Sequence, residues 1–380
     1  MYLKVKIVKS DGSNLVHTER VAPVNLLLHS LFSQVKVSVQ NKSITSSTTN
    51  YPYKAMIQTL LKYGNDAKQS QLTPQMYVFD TPNAMDDADL EGQNIGFYSK
   101  SKFFDESKTV DLSGNIYHPL CSLDRYILNS VGIAIKFYRS KPKFCLMNID
   151  LLDFRIEIEE MYLNICKVQV NPGVIYGHNE ILKSTNAKYP FTNTDVKLLA
   201  IPAGNTSFSF DQLFNTLRPN KVVIGFVSGK AVSGDYKLNP FNFKHYDLSE
   251  ISLLVDGIPV GGNAMKMNFN PSSGITSLVG FNSLFQASGK DMQDTGNGLD
   301  REDYCSGYTL YAFNIEPEFE ELYYLTLLKQ ANVRIEAHSN NPIPDPCMCV
   351  VYSNFIIQFE PKIFFYKHHY SSLRKGGLIH

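Results

Sequence analysis

Apolar and polar residues alternate with a period of two along much of this chain. Leu3, Val5 and Ile7 alternate with Lys4 and Lys6, and Asp11-Gly12 then turns the chain. Val35, Val37 and Val39 alternate with Lys36 and Ser38. Such a pattern buries one face of a strand and wets the other. It predicts strands over 1–9 and 35–39. At Tyr53 the period changes. Met56, Ile57, Leu60 and Leu61 fall on one helix face. Pro52 suits the first turn and Gly64 the stop, so a helix is predicted over 53–63. Its apolar face is expected to pack on the domain it grows from. Residues 65–107 are polar and poorly periodic, punctuated by Pro74, Pro82 and Gly92. They read as a long excursive loop. Strands resume at 108–112 and at Ile133, Ile135 and Phe137. From Arg155 to Ile165 the apolar phase slips at Glu159-Glu160, as a one-residue bulge would make it. Residues 174–186 read as a short connecting helix.

The second half repeats the first. Strands are predicted over 189–201, 206–210, 221–227, 251–255, 308–315, 331–337 and 347–360. The strand Ile251 to Val255, the turn Asp256-Gly257 and a helix from Leu278 to a stop at Gly289 echo the unit from Val35 to Gly64. The run Leu128 to Pro142 lines up without a gap on Leu328 to Pro342, setting Ile133 on Val333 and Ile135 on Ile335. Many short strands with turns between them and few helices indicate sandwiches, not a parallel sheet. The fold class is therefore all-β: two tandem jelly-roll β-sandwich domains with short inserted helices.

The expected division is 1–172 for the first jelly roll, 173–361 for the second and 362–380 for a basic tail. The second domain spends about thirty residues, Lys188 to Pro219, before its Lys221 strand, whereas the matching strand of the first begins at Leu3. The expectation is that the first domain lacks its opening strand and that the sequence lacks its natural beginning. The alternatives are unequal domains, or a fold-back of 361–380. That tail, with Lys362, Lys367, His368, His369, Arg374 and Lys375, is an arm toward a neighbour or nucleic acid, or a frayed terminus.

Composition narrows the function. The 380 residues carry 36 basic and 36 acidic side chains, so no global charge draws the chain to nucleic acid or an anionic membrane. No apolar run reaches the roughly 18 residues of a membrane span, and Met1-Tyr2-Leu3-Lys4 does not open a signal peptide. The 6 cysteines form no CxxC pair and read as free thiols. Chemistry is sparse. Asp86, Asp87, Asp89 and Glu91 form an acidic cluster without recognisable ligand spacing, and a solvated loop face explains it better than a metal. Asp294-Thr295-Gly296 spells an aspartic-protease triplet but follows no apolar strand. Asp291, Gly296 and Glu302 partly fit a calcium loop, which fails at Gln293 and at a downstream segment, Tyr304 to Phe313, that reads as strand. Cys347 and Cys349 share a strand face and read as buried thiols, while the adjacent His368 and His369 point to opposite faces. His29, His118 and His245 stand alone and read as structural. Nucleophile-elbow, P-loop, zincin and dinucleotide motifs are absent from the sequence. No catalytic, cofactor-binding or metal-binding residue is assigned, and no cofactor is expected.

Several short motifs occur in a specific order: Asn50-Tyr51-Pro52-Tyr53, Leu60 to Gly64, Ala187-Lys188-Tyr189-Pro190, Ile201-Pro202-Ala203-Gly204, Val222 to Val227, Asn239 to Phe243 and Gly307-Tyr308-Thr309-Leu310. Together, from about Val21 to Glu360, they resemble the double jelly-roll major capsid protein of Polinton (Maverick) elements and the related adintoviruses. The resemblance implies a homotrimer with a pseudo-hexagonal outline, tiling an icosahedral shell around double-stranded DNA, with single jelly-roll penton proteins at the vertices. It implies a virion location, no enzymatic activity and no sequence-specific contact with nucleic acid. It makes 65–107 and 261–304 candidate towers or clasps between subunits. The late start and the His-rich tail depart from the family pattern. The other reading of the sandwiches is a cellular carbohydrate-binding or adhesion protein, which needs an exposed aromatic platform or polar cleft.

Overall fold

The computed structural model describes residues 1–45, 50–123, 125–128, 131–150, 152–214, 217–316 and 329–359. The first sandwich holds β1 (Tyr2–Lys9), β2 (Val21–Pro23), β3 (Phe32–Val39), β4 (Lys42–Ser43), β5 (Val110–Ser113), β6 (Ile133–Arg139), β7 (Leu146–Asn148) and β8 (Phe154–Tyr162). The second holds β9 (Tyr189–Ile201), β10 (Ser207–Phe210), β11 (Lys221–Ser228), β12 (Leu248–Val255), β13 (Ile258–Pro259), β14 (Met265–Lys266), β15 (Leu310–Asn314), β16 (Val333–Ser339) and β17 (Cys347–Phe359).

The two sandwiches have one plan. In the first, the sheets run β5-β1-β8 and β4-β3-β6; in the second, β15-β11-β17-β9 and β10-β16-β12-β13. The ladders between these strands are antiparallel. Strands β6 and β16 share the same bounds at the offset seen in sequence. The details repeat as well. The β3–β4 hairpin turns on Gln40 and Asn41, and the β12–β13 hairpin on Asp256 and Gly257, all at positive φ, as two-residue hairpins with right-handed strand twist require. Register slips at Ser33 in the β3–β6 ladder and at Ser249 in the β12–β16 ladder. There Ser33 Oγ donates to the Tyr138 carbonyl and Ser249 Oγ to the His338 carbonyl, each at 3.2 Å. After each hairpin comes a helix, Tyr51–Lys62 in one half and Leu278–Ser288 in the other, the latter closed by Gly289 in the left-handed conformation.

The bulge expected at Glu159 is present: Lys4 pairs with Glu160 and Val5 with Ile158. Gly225, in the middle of β11, has a packing reason, because a Cβ there would meet Leu310 and Phe243 side chains at 2.7 Å.

Four expectations need correcting. Residues 65–107 are a packed insert rather than a loop, with helices at Asn65–Gln69 and Ile95–Phe104 and with Leu72, Met76, Tyr77, Met85, Phe97 and Phe104 buried. The helix Tyr51–Lys62 lies between the halves: Met56, Ile57, Leu60 and Leu61 join the apolar cluster of Phe226, Phe241 and Tyr308, while Tyr51 joins the cluster of the first sandwich. Strand β8 stops at Tyr162, and the connecting helix is Pro172–Ile181, with Asn171 accepting from Gly173 N–H at its start. Finally, Arg301–Cys305 is helical, stabilised by a reciprocal capping box between Asp300 and Asp303. The basic tail, with His368 and His369, lies outside the described residues.

Candidate functional site

Polar side chains of the insert, Asp86 of the acidic cluster among them, serve the junction between the halves. Lys100 Nζ donates to Asp80 Oδ1 at 2.7 Å, and both side chains are fully buried. Asp80 Oδ2 accepts from Asn239 Nδ2 at 3.2 Å, and its backbone carbonyl accepts from Tyr308 Oη at 2.9 Å. One residue of the insert thus holds two segments of the second sandwich. Asp86 does the same. It accepts from Asn239 N–H at 2.9 Å, Asn242 Nδ2 at 2.8 Å and Lys244 Nζ at 2.9 Å.

Two further members of the acidic cluster, Asp87 and Asp89, have partners within the first half. Asp87 accepts the N–H groups of Asp89 and Gln93, closing its own loop. Asp89 faces Arg20 at 3.6 Å. The cluster is a latch, the carboxylates of Asp86, Asp87 and Asp89 engaged by protein donors.

The segment carrying the protease-like and calcium-like patterns is also a junction. Lys68 Nζ, almost fully buried, donates to the carbonyls of Leu60 and Asn297. Burial pulls this ammonium down to about 7. Lys290 Nζ donates to the Gly296 carbonyl at 3.0 Å. A Cβ at Gly298 would lie 3.3 Å from Asn65, so the loop rests on the start of the insert.

His29, His118 and His245 are hydrogen-bonded structural residues, the first two buried and the third half-buried. His29 lies between Tyr51 Oη at 2.9 Å and Gln75 Oε1 at 2.7 Å. Desolvation lowers its pKa to about 4. His118 meets Thr45 Oγ1 at 3.1 Å through Nε2 and accepts Leu120 N–H through Nδ1. Burial, with Lys54 nearby, lowers it to about 3. His245 accepts Asp247 N–H and stacks on Phe269 at 4.2 Å between centroids. Cys347 and Cys349 are buried in β17, and desolvation raises both thiols, Cys347 to about 12. Among the described residues, no three His, Cys, Asp or Glu side chains gather as a metal site would require. No helix among them is long and apolar enough to cross a membrane.

What remains is surface. In the helix Pro172–Ile181 no side chain is buried. Ile165, Val168, Val174, Ile175, Tyr176 and Ile181, on this helix and the irregular segment that leads into it, are all exposed, Tyr176 by 73%. Sequence reasoning passed over this stretch, although with Val170 it exposes seven large apolar residues between 165 and 181, an unusual surface.

No family model matches the chain. An uncharacterized protein of Caenorhabditis elegans, F54H12.2, is 24% identical over 345 residues, which is 88% of this chain and 78% of that protein. A chain of the 3.5 Å cryo-EM structure of the Sputnik virophage superposes with a TM-score of 0.55 and 12% identity, covering 95% of this chain and 80% of its own. The faustovirus major capsid protein superposes with a TM-score of 0.51 and 9% identity, covering 94% of this chain and 77% of its own. At such identities the likeness is one of fold, and it extends through both halves: the chain is a double jelly roll, built as the faustovirus major capsid protein is.

Proposed function

We propose that this chain is a structural capsid subunit, a double jelly-roll major capsid protein acting as a homotrimer. The observation that carries the reading is the repeated plan: two sandwiches with the same sheet order, hairpins and bulges, locked side by side by the Asp80 and Asp86 contacts. Three rigid two-barrel chains present six similar barrels, so a three-fold oligomer fills a hexagonal lattice position. The superposition on the faustovirus capsid protein over 94% of the chain supports the same role. The motif order supports a lineage with Polinton elements and adintoviruses. In this reading the shell encloses double-stranded DNA without reading its sequence, single jelly-roll pentons fill the vertices, and the chain is neither an enzyme nor a holder of metal.

The exposed apolar stretch 165–181 supports oligomerisation. A helix of 10 residues with no buried side chain gains little from propensity alone. Covered by a second copy, it becomes part of an apolar interface of the kind obligate oligomers bury, roughly 2,000 Å² or more. The test is native mass determination followed by electron microscopy of the purified chain. A particle of three times the 42.9 kDa chain mass with a hexagonal outline is expected. A stable monomer that binds saccharide would overturn the proposal in favour of a carbohydrate-binding sandwich.

A further inference from the structure

The start of the helix Tyr51–Lys62 borders a small cavity of about 30 Å³ at the junction of the halves. Thr45, Asn50, Lys54 and His118 line it from the first half, and Asn193 and Thr194 line it from β9. One water needs roughly 10–15 Å³ of such space, so the cavity has room for about two atoms of that size. Asn50 Nδ2 donates to the Val196 carbonyl at 2.8 Å, which fixes the helix start against β9. The charge around the cavity has one sign. Lys54 is only 8% exposed, yet among the described residues its ammonium has neither a hydrogen-bond acceptor nor an ion-pair partner. The other two buried lysines are satisfied, Lys100 by Asp80 and Lys68 by two carbonyls. No carboxylate lines the cavity among the described residues, and Asp195 attracts Lys54 only through space. The helix adds to the imbalance. Its first turn holds no acidic residue and its start has no side-chain cap, so its free N–H groups bring further positive potential. His118 does not offset it, because Nδ1 accepts Leu120 N–H and leaves Nε2–H toward Thr45 Oγ1. Burial lowers Lys54 to about 8, with Asp195 opposing, so the side chain is still a cation at pH 7. A cation held in this way is costly without a counter-charge.

We propose that this cavity binds a small monovalent inorganic anion of chloride size, held by the Lys54 ammonium and the helix start and closed from β9 by Asn193. The size of the cavity selects the ligand, since a phosphate or an organic acid has too many heavy atoms to enter. The ammonium and the helix N-terminus select its charge. The bound ion neutralises Lys54 where it is buried. It also ties the first half to β9, because its ligands come from both sides of the junction.

The test is thermal unfolding of the full chain in sodium chloride, sodium bromide and sodium gluconate at constant ionic strength, with hydrogen exchange on the same samples. Gluconate is too large to enter and serves as the reference anion. The parent chain should gain about 2 °C or more in Tm in either halide over gluconate, beyond any gain shown by Lys54→Met, and the gain should grow with the logarithm of halide concentration. Amides at the helix start and over residues 193–196 should exchange several-fold more slowly in halide than in gluconate. Asn193→Leu, at a half-buried site on β9, fills the cavity and leaves the lysine in place. It should unfold cooperatively and lose the halide dependence as Lys54→Met does. Three outcomes overturn the proposal. A parent chain that follows Lys54→Met in all three salts means that water or the chain's own groups satisfy the lysine. A halide gain that survives in both variants means that ions act on the surface at large. Exchange that slows only away from this junction places the ion elsewhere.

Discussion

Lys100 and Asp80 face each other at 2.7 Å, with neither side chain reaching solvent. Both belong to the insert of the first half, yet Asp80 spends its other oxygen on Asn239 of the second half. A buried pair of this kind gives little net stability compared with an apolar replacement, but removing one partner strands a charge. Asp80→Ala should therefore cost about 3–5 kcal/mol, and Lys100→Met a similar amount. The double variant Asp80→Ala with Lys100→Met should cost less than the sum of the two, because no unpaired charge is left. Urea unfolding of the four proteins measures the cycle. Additive losses would show that the two residues act separately.

Acid should weaken the fold earlier than its carboxylates alone would. His29 and His118 are held neutral by burial, at about 4 and about 3 against an ordinary value of 6.5. The unfolded chain takes up protons near 6.5 that the folded chain refuses, so the unfolded state gains as pH falls. Stability is thus full above about 6.5 and declines through the window from 6.5 toward 4. Between pH 6.5 and 5 each histidine should contribute a loss of about 2 kcal/mol. Denaturant midpoints measured from pH 8 to 5 check the sign, and His29→Gln should flatten the slope. A midpoint that stays level to pH 5 contradicts the assignment of neutral buried imidazoles.

Leu60 is completely buried on the helix between the halves. Leu60→Ala should cost about 2–5 kcal/mol as a core truncation. Because Leu60 shares its cluster with Phe226 and Tyr308, the loss should reach the second sandwich. Hydrogen exchange should speed up on β9 and β17 as well as on the helix itself. Exchange confined to the first sandwich would place the helix with that domain alone.

The sequence pattern reached further into the strands than into the insert. Alternation over Ile133 to Phe137 and Val333 to Ala337 is a local property, and so is the phase slip at Glu159, so both could be read before the fold was known. The partner of Leu60 could not be: helical spacing says which face is buried, not what covers it. Residues 65–107 read as loop because their helices are too short to be stable alone and their apolar residues are dispersed. Phe97 and Phe104 are buried only because distant segments close over them. Nothing local marks Lys100 as buried, since Asp80 lies twenty positions from it, outside helical spacing. Asp86 read as part of a solvated loop face because its true partners, Asn239, Asn242 and Lys244, lie more than 150 positions away. The unburied stretch 165–181 was legible as apolar, but one chain in isolation cannot show what covers it.

That stretch gives the sharpest separation between folding and assembly. Ile175 and Tyr176 are 39% and 73% exposed on a helix that buries nothing in the single chain. A charge placed there meets water in the monomer, so Ile175→Asp and Tyr176→Asp should each change monomer stability by no more than about 0.5 kcal/mol. If the proposed trimer covers this stretch with a second copy, the same charge is desolvated against an apolar surface without a partner, which is costly. The two variants should therefore fold normally while the trimer population falls sharply, in proportion to the surface that the second copy covers. Thermal unfolding and sedimentation on the same samples separate the two effects. If the variants form trimers as readily as the parent chain, the copies meet elsewhere, and the exposed helix has another use.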